Sequence, residues 1–133
     1  MAYRGLDEGL YFFAEDIFGN QFGFDGVGMV FRFLAETGDR ELCGTGFEDW
    51  LALMLSDPTE ELSLWLLDDW LKENSKLSLS DHLCPKIPFV ARGATEAGNL
   101  YACDRLESMR FKGSFAHQIR NMTSGEKVRL HVR

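Results

Sequence analysis

Five polar side chains stand among phenylalanines in the stretch YFFAEDIFGNQFGFD, residues 11–25. Glu15, Asp16, Asn20, Gln21 and Asp25 are of types that line polar pockets, ligate divalent cations or exchange protons with a substrate. The sequence also holds the arguments against that chemistry. The spacing is not that of a calcium-binding loop, and no histidine lies nearby to share a metal. Gly19-Asn20 marks a turn, where acidic side chains accept hydrogen bonds from turn amides. The stretch therefore predicts a β-hairpin whose phenylalanines fill a core. Asn20 and Gln21 shape its turn, and Glu15, Asp16 and Asp25 are structural or part of a contact surface.

Other catalytic constellations are equally thin. His82, His117 and His131 are scattered, and a nucleophilic pair of Cys84 with His117 has no nucleophile motif around the cysteine. Gly26 and Gly28 do not open a helix, so they are not a dinucleotide loop. The motifs GxSxG, P-loop, HExxH and paired CxxC do not occur. This pattern predicts a protein that is not an enzyme and needs no cofactor and no metal; a small hydrolase using the hairpin acids is the minor alternative. Cys43, Cys84 and Cys103 are too few to pair completely and have no framework spacing, which predicts reduced thiols in the cytoplasm.

The elements that must position these residues follow from the periodicity. A chain of 133 residues, 45% hydrophobic and 13% aromatic, is expected to form one packed domain over 1–133. Strand-like runs at 9–15, 21–25, 29–34 and 40–43 are separated by the turn signals FGN, DGVG and ETGD. Such short connections give an antiparallel meander. The period then changes. Thr45-Gly-Phe-Glu48 has the form of a capping box ahead of Trp50, Leu51, Met54 and Leu55. Asp57-Pro-Thr-Glu60 opens a second amphipathic helix through Leu62, Trp65, Leu66, Asp69 and Trp70 to about Asn74. The three tryptophans are expected in the core. Residues 75–99 read as irregular and Asn99–Cys103 as a short strand. Asp104-x-x-Glu107 reads as a cap for a helix that breaks near Gly113 and ends near Met122. Thr123–Glu126 reads as a turn, and Lys127–Val132 as a closing strand. The fold class predicted is α+β: a largely antiparallel sheet, meander plus C-terminal strand, packed with about three helices.

Charge narrows the partners. Residues 1–109 carry 20 Asp and Glu against 8 Lys and Arg, whereas residues 110–133 carry 1 against 6. An acidic body repels nucleic acid and attracts basic proteins. The basic end alternates Lys127, Arg129 and His131 with Val128, Leu130 and Val132, the pattern of a strand's solvent face. No apolar run is long enough to span a membrane, and Asp7 and Glu8 stand where a secretory leader would be apolar. The density of Glu48, Asp49, Glu60, Glu61, Asp68, Asp69 and Glu73 on the two central helices marks them as the candidate partner-binding surface.

Several ordered segments carry a resemblance. FFAEDIFGNQFGFD (12–25) resembles the aromatic-acidic signature of the SUKH superfamily, which contains bacterial immunity proteins and fungal cell-wall-assembly regulators. Residues 43–55 resemble its strand leading into a Phe-Glu-x-Trp-Leu helix. WLLDDWLKENSKLSLSDHLCPKIPFV (65–90) resembles its Trp-containing helix and Pro-Lys-x-Pro-Phe loop, and residues 99–132 its closing strand, helix and terminal strand. Ala91-Arg92-Gly93 departs from the Gly-Gly pair common in that loop. The resemblance implies a non-enzymatic immunity protein that binds and neutralises a cognate toxin, often a nuclease; the acidic body suits a basic toxin surface, and a monomer or homodimer is expected according to what covers the N-terminal hairpin. The alternative it implies is a regulatory scaffold for endogenous proteins. It also implies a helical segment and a strand ahead of the hairpin, where this chain has little more than residues 1–8. The expectation is thus a domain lacking that segment, with Phe12, Phe13, Phe18, Phe22 and Phe24 short of cover and prone to self-association.

Overall fold

The computed structural model describes residues 3–120. The alternating runs form four strands, β1 (Tyr11–Glu15), β2 (Gln21–Phe24), β3 (Val30–Phe33) and β4 (Arg40–Gly44), in one antiparallel sheet of order β1-β2-β3-β4. In the register of β2 and β3, Gln21 faces Phe33 and Phe24 faces Val30. Irregularities after Phe12 and Val30 interrupt the pairing on either side of that central pair. Because side chains alternate across a sheet, the phenylalanines divide between its two faces. Phe13, Phe22 and Phe24 meet Phe47 and Trp50 on one side. On the other side Phe33 packs against Tyr3 edge to face at 4.9 Å and against Phe12 at 5.5 Å.

Three helical pieces follow: α1 (Phe47–Ser56), the single turn α2 (Pro58–Glu61) and α3 (Leu64–Leu71). The first cap is displaced from the predicted box. Gly46 occupies the cap, and it is Asp49, not Glu48, that accepts from the Thr45 hydroxyl at 2.5 Å and its amide at 3.2 Å. Those bonds hold the Asp49 carboxyl below its usual range. The Asp57 cap forms as read, its carboxylate accepting from the Glu60 amide at 3.3 Å. The second helix is not continuous, because Ser63 adopts φ 55° and divides α2 from α3. Of the tryptophans only Trp70 is buried; Trp50 is half-buried and Trp65 is 37% exposed. Met54 is the buried residue of α1, while Leu51 and Leu55 face outward.

The segment read as irregular contains a strand. β5 (Asp81–Pro85) pairs antiparallel with β6 (Leu100–Asp104), His82 opposite Cys103 and Leu83 opposite Ala102. This pair joins the meander's turn through the Leu83 amide, which donates to the Ile17 carbonyl at 2.8 Å. α4 (Arg105–Arg120) runs unbroken through Gly113, which is buried, and Asp104 accepts from the Leu106 and Glu107 amides at its start. The predicted turn at 123–126 and strand at 127–132 lie outside the described residues.

Two apolar clusters hold these layers together. Phe18, Leu66, Trp70, Leu83 and Leu100 join the hairpin turn to α3 and the β5–β6 pair. Tyr3, Phe33, Ala35 and Ala116 join the meander to α4. Burying a large apolar side chain stabilises by roughly 1.5–3 kcal/mol, so these residues dominate the fold's cohesion. Phe18 and Phe22 are buried and Phe13 and Phe24 half-buried; Phe12, at 39% exposed, is the least covered of the five.

Candidate functional site

The hairpin's polar residues resolve into two groups. Asp16 closes the β1–β2 turn: its Oδ1 accepts from the amides of Phe18 and Asn20, each at 3.0 Å. Its Oδ2 accepts from Asn20 Nδ2 at 2.8 Å. Asn20 Oδ1 in turn accepts from the Ala35 amide at 2.9 Å, tying the hairpin to the end of β3. Burial pushes the Asp16 carboxyl upward, opposed by these bonds and by the nearby Arg32. Asp25 closes the β2–β3 turn through the amides of Val27 and Met29, each at 2.9 Å. Both residues are turn formers, as read.

Glu15 belongs to a network that the sequence reading did not find. Its Oε2 accepts from Gln21 Nε2 at 2.9 Å and lies 3.1 Å from His82 Nε2, while its Oε1 meets Arg105 Nη2 at 2.6 Å. On the other edge of the imidazole, His82 Nδ1 lies 3.3 Å from Ser108 Oγ, which accepts from Cys84 Sγ at 3.2 Å. With Nε2–H directed to the carboxylate, Nδ1 is left to accept the serine proton. The donor directions are those of an acid–imidazole–hydroxyl triad. Gly19 is required here, since it combines φ 84° with a site where a Cβ would lie 2.6 Å from the His82 ring.

Access decides what this network can do. His82 is 1% exposed and Ser108 2%. The void touching Cys84, Ser108 and Lys112 is about 20 Å³, room for a water and not for a substrate. Burial lowers the His82 pKa against the upward pull of Glu15, which favours the neutral imidazole near neutrality. The Cys103 thiol, on the same strand pair, is pushed up to about 11, chiefly by burial, and is therefore protonated near neutrality. The relay is a satisfied core network that fastens β1, β5 and α4 to one another. Among the described residues no group of three or more His, Cys, Asp and Glu is arranged to hold a metal ion.

Among the described residues two larger spaces are open, and the second of them reaches the outer, Glu15 end of this network. A cleft of about 550 Å³ is bounded by the hairpin turn, the end of β3, α2 and the short helical turn at 89–91. Phe18, Leu34, Pro85, Phe89 and Val90 give it apolar walls, and Arg32, Glu41, Glu60 and Glu61 stand along it. Arg32 stacks over the Phe22 ring at 5.2 Å and donates to the Glu61 carbonyl at 2.9 Å. Its guanidinium lies 3.9 Å from the Glu41 carboxylate and 3.8 Å from that of Glu61, longer than hydrogen bonds. Glu36 fixes one wall by accepting from the amides of Phe89 and Val90 at 3.0 and 2.9 Å. Lys112, nearly fully buried, donates to the Phe18 carbonyl. A second groove, about 660 Å³, runs along Leu62, Leu64, Leu67 and Leu71 to Glu15, Arg105 and the edge of His82, which stays 1% exposed, while Ser108 does not line it.

The seven acidic residues singled out on the helices are not one unit. Asp49 is engaged with Thr45, Asp69 pairs with Lys72 at 2.9 Å, and Glu61 faces Arg32. Glu48, Glu60, Asp68 and Glu73 are exposed and make no ion pair among the described residues. Only Glu60 and Glu61 reach the cleft, where they meet Glu41, a residue whose position on a strand gave no sign of this association.

No family model, no curated protein and no solved structure matches the chain. No helix among the described residues is long and apolar enough to cross a membrane.

Proposed function

We propose that this protein works by binding: a cytoplasmic immunity protein of SUKH type that neutralises a basic toxin, of nuclease class, by covering the surface with which the toxin holds phosphates. The observation that carries the reading is the excess of uncommitted carboxylate on the exposed helices. Residues 3–120 hold 20 Asp and Glu against 11 Lys and Arg, a balance of −9. Glu48, Glu60, Asp68 and Glu73 are left without a cationic partner among the described residues. Such a field accelerates encounter with a basic protein and excludes nucleic acid from the same face. The burial of the His82–Ser108 pair supports a non-catalytic role. The resemblance of residues 12–25 to the SUKH signature supplies the toxin-neutralising class.

The test is capture from native bacterial lysate at low salt, elution by salt, and assay of the captured protein for nuclease activity. One basic partner that elutes with salt, and whose nuclease activity is lost at a one-to-one ratio, is the expected result. Several weakly held endogenous proteins without toxic activity would overturn it in favour of a regulatory scaffold. Metal-dependent turnover by the protein itself, abolished in Asp16→Ala, would overturn both.

A further inference from the structure

We infer that the cleft between the meander and the Phe89 turn is an anchor pocket for a basic side chain carried on an extended segment of the protein partner. The inference rests on the binding function proposed above and assigns that function a specific place.

The balance of charge around the cleft selects the sign of the occupant. Among the described residues five carboxylates line it, those of Asp16, Glu36, Glu41, Glu60 and Glu61, against the two cations Arg32 and Lys112. Asp16 and Glu36 have both oxygens engaged by amide donors and serve as wall. Lys112 is nearly fully buried and directed to the Phe18 carbonyl. At the accessible end, Glu41 and Glu60 are exposed and Glu61 half-buried, and among the described residues Arg32 is the one cation beside them. Arg32 does not saturate them, since its contacts to Glu41 and Glu61 are 3.9 and 3.8 Å. Its guanidinium is also held away by the Phe22 ring and the Glu61 carbonyl. Among the described residues Glu41 and Glu61 thus share one distant cation and Glu60 has no ion pair, so a second guanidinium or ammonium group would find unfilled acceptors. An anion would meet repulsion.

The walls select the rest of the ligand. Phe18, Phe89 and Val90 offer apolar surface to the methylene stem of a long basic side chain, which places its charge at the mouth. A volume of about 550 Å³ exceeds one side chain and has room for the flanking residues of a peptide. A bare metal ion would leave those walls unused. The apolar wall and the rigid attachment of the Phe89 turn to Glu36 make the site preformed, which lowers the ordering cost of binding.

The experiment titrates the full chain, labelled with nitrogen-15, with the capped peptide acetyl-Gly-Arg-Leu-Gly-amide and with its Arg→Lys and Arg→Glu forms. Saturable shifts at the amides of Leu34, Glu61 and Val90 are expected with the arginine and lysine peptides, and none with the glutamate peptide. Two triple variants share the same change in net charge: Glu41→Gln/Glu60→Gln/Glu61→Gln in the cleft, and Glu48→Gln/Asp68→Asn/Glu73→Gln outside it. The cleft variant is expected to raise the peptide Kd about tenfold, and the outer variant less than about twofold. Unchanged thermal unfolding of both excludes a folding defect. Absence of saturable shifts, or equal weakening by both variants, would overturn the inference. A captured toxin that binds the cleft variant normally would overturn it while leaving the proposed function intact. Peptide seated in the cleft, with no toxin in the capture experiment, would overturn the function and leave the pocket.

Discussion

Acidification tests whether the Glu15–His82–Ser108 network is a neutral core device. Burial lowers the His82 pKa from its ordinary 6.5, opposed by Glu15 and assisted by Lys112 and Arg105. The unfolded chain therefore takes up a proton at this position at a pH where the folded state refuses it. Stability attributable to His82 is complete above about 6.5 and is lost as the pH falls from there toward the depressed folded value. One proton taken up on unfolding gives a slope of at most about 1.4 kcal/mol per pH unit. For a domain of this size that is a fall of about 3–6 °C in Tm per unit. The assay is denaturant unfolding of wild type and His82→Gln between pH 7.5 and 5.0, comparing the slopes rather than the absolute stabilities. Gln loses the bond to Ser108 and is less stable throughout, but its slope is expected to be shallower by up to that amount. Glu15→Gln removes the upward pull and should extend wild-type acid sensitivity to lower pH. Equal slopes in wild type and His82→Gln, or a His82 resonance titrating at or above 6.5, would refute the reasoning.

Two further substitutions probe the loops that carry the walls of the cleft. A Cβ at Gly93 would lie 1.8 Å from the Ile87 carbonyl oxygen and 2.9 Å from Asn99 Nδ2, so Gly93→Ala must displace the backbone. It is expected to cost about 3 kcal/mol or more by denaturant midpoint, and a loss below about 0.5 kcal/mol would contradict the loop's path. Asp16→Asn sets two effects against each other. It relieves the burial that raises the carboxyl's pKa, but puts an amide donor against Asn20 Nδ2, and Asn20 cannot turn without releasing the Ala35 amide. The hydrogen bonds are expected to win, with a loss of about 1–3 kcal/mol; a neutral or stabilising result would show that desolvation dominates.

The meander was legible because its information is local. Turn residues and aromatic alternation lie within a few positions of one another, and Asp16, Asn20 and Asp25 act within the turns that contain them. β5 was not legible for the complementary reason. Asp81–Pro85 is buried along most of its length, so it shows no alternation, and it has no β-branched residue to mark it. The His82 network was hidden by distance: Glu15 stands 67 positions from His82, and His82 stands 26 from Ser108. Periodicity cannot register a contact that only the docking of three elements creates. The helix at 105–120 was misread at Gly113 because a glycine penalises a helix by about 1 kcal/mol, whereas here burial against neighbouring elements outweighs it.

Acidic residues illustrate the limit most directly. Their number is a property of the sequence, and so is the field they generate at a distance, which sums over all of them and steers a basic partner whichever carboxylates are engaged. Short-range affinity is different. A carboxylate whose oxygens already accept two or three amide protons, as in Asp16 or Glu36, has little left to offer a second cation. One held 3.8–3.9 Å from a guanidinium that is fixed elsewhere, as in Glu41 or Glu61, has nearly all of it. The distinction is invisible in composition and decisive at contact. Salt should therefore slow association of wild type and of both triple variants, because the screened field contains every charge. Dissociation should accelerate only when the cleft carboxylates are neutralised, and the separation of those two rates is the kinetic signature of a site set within a field.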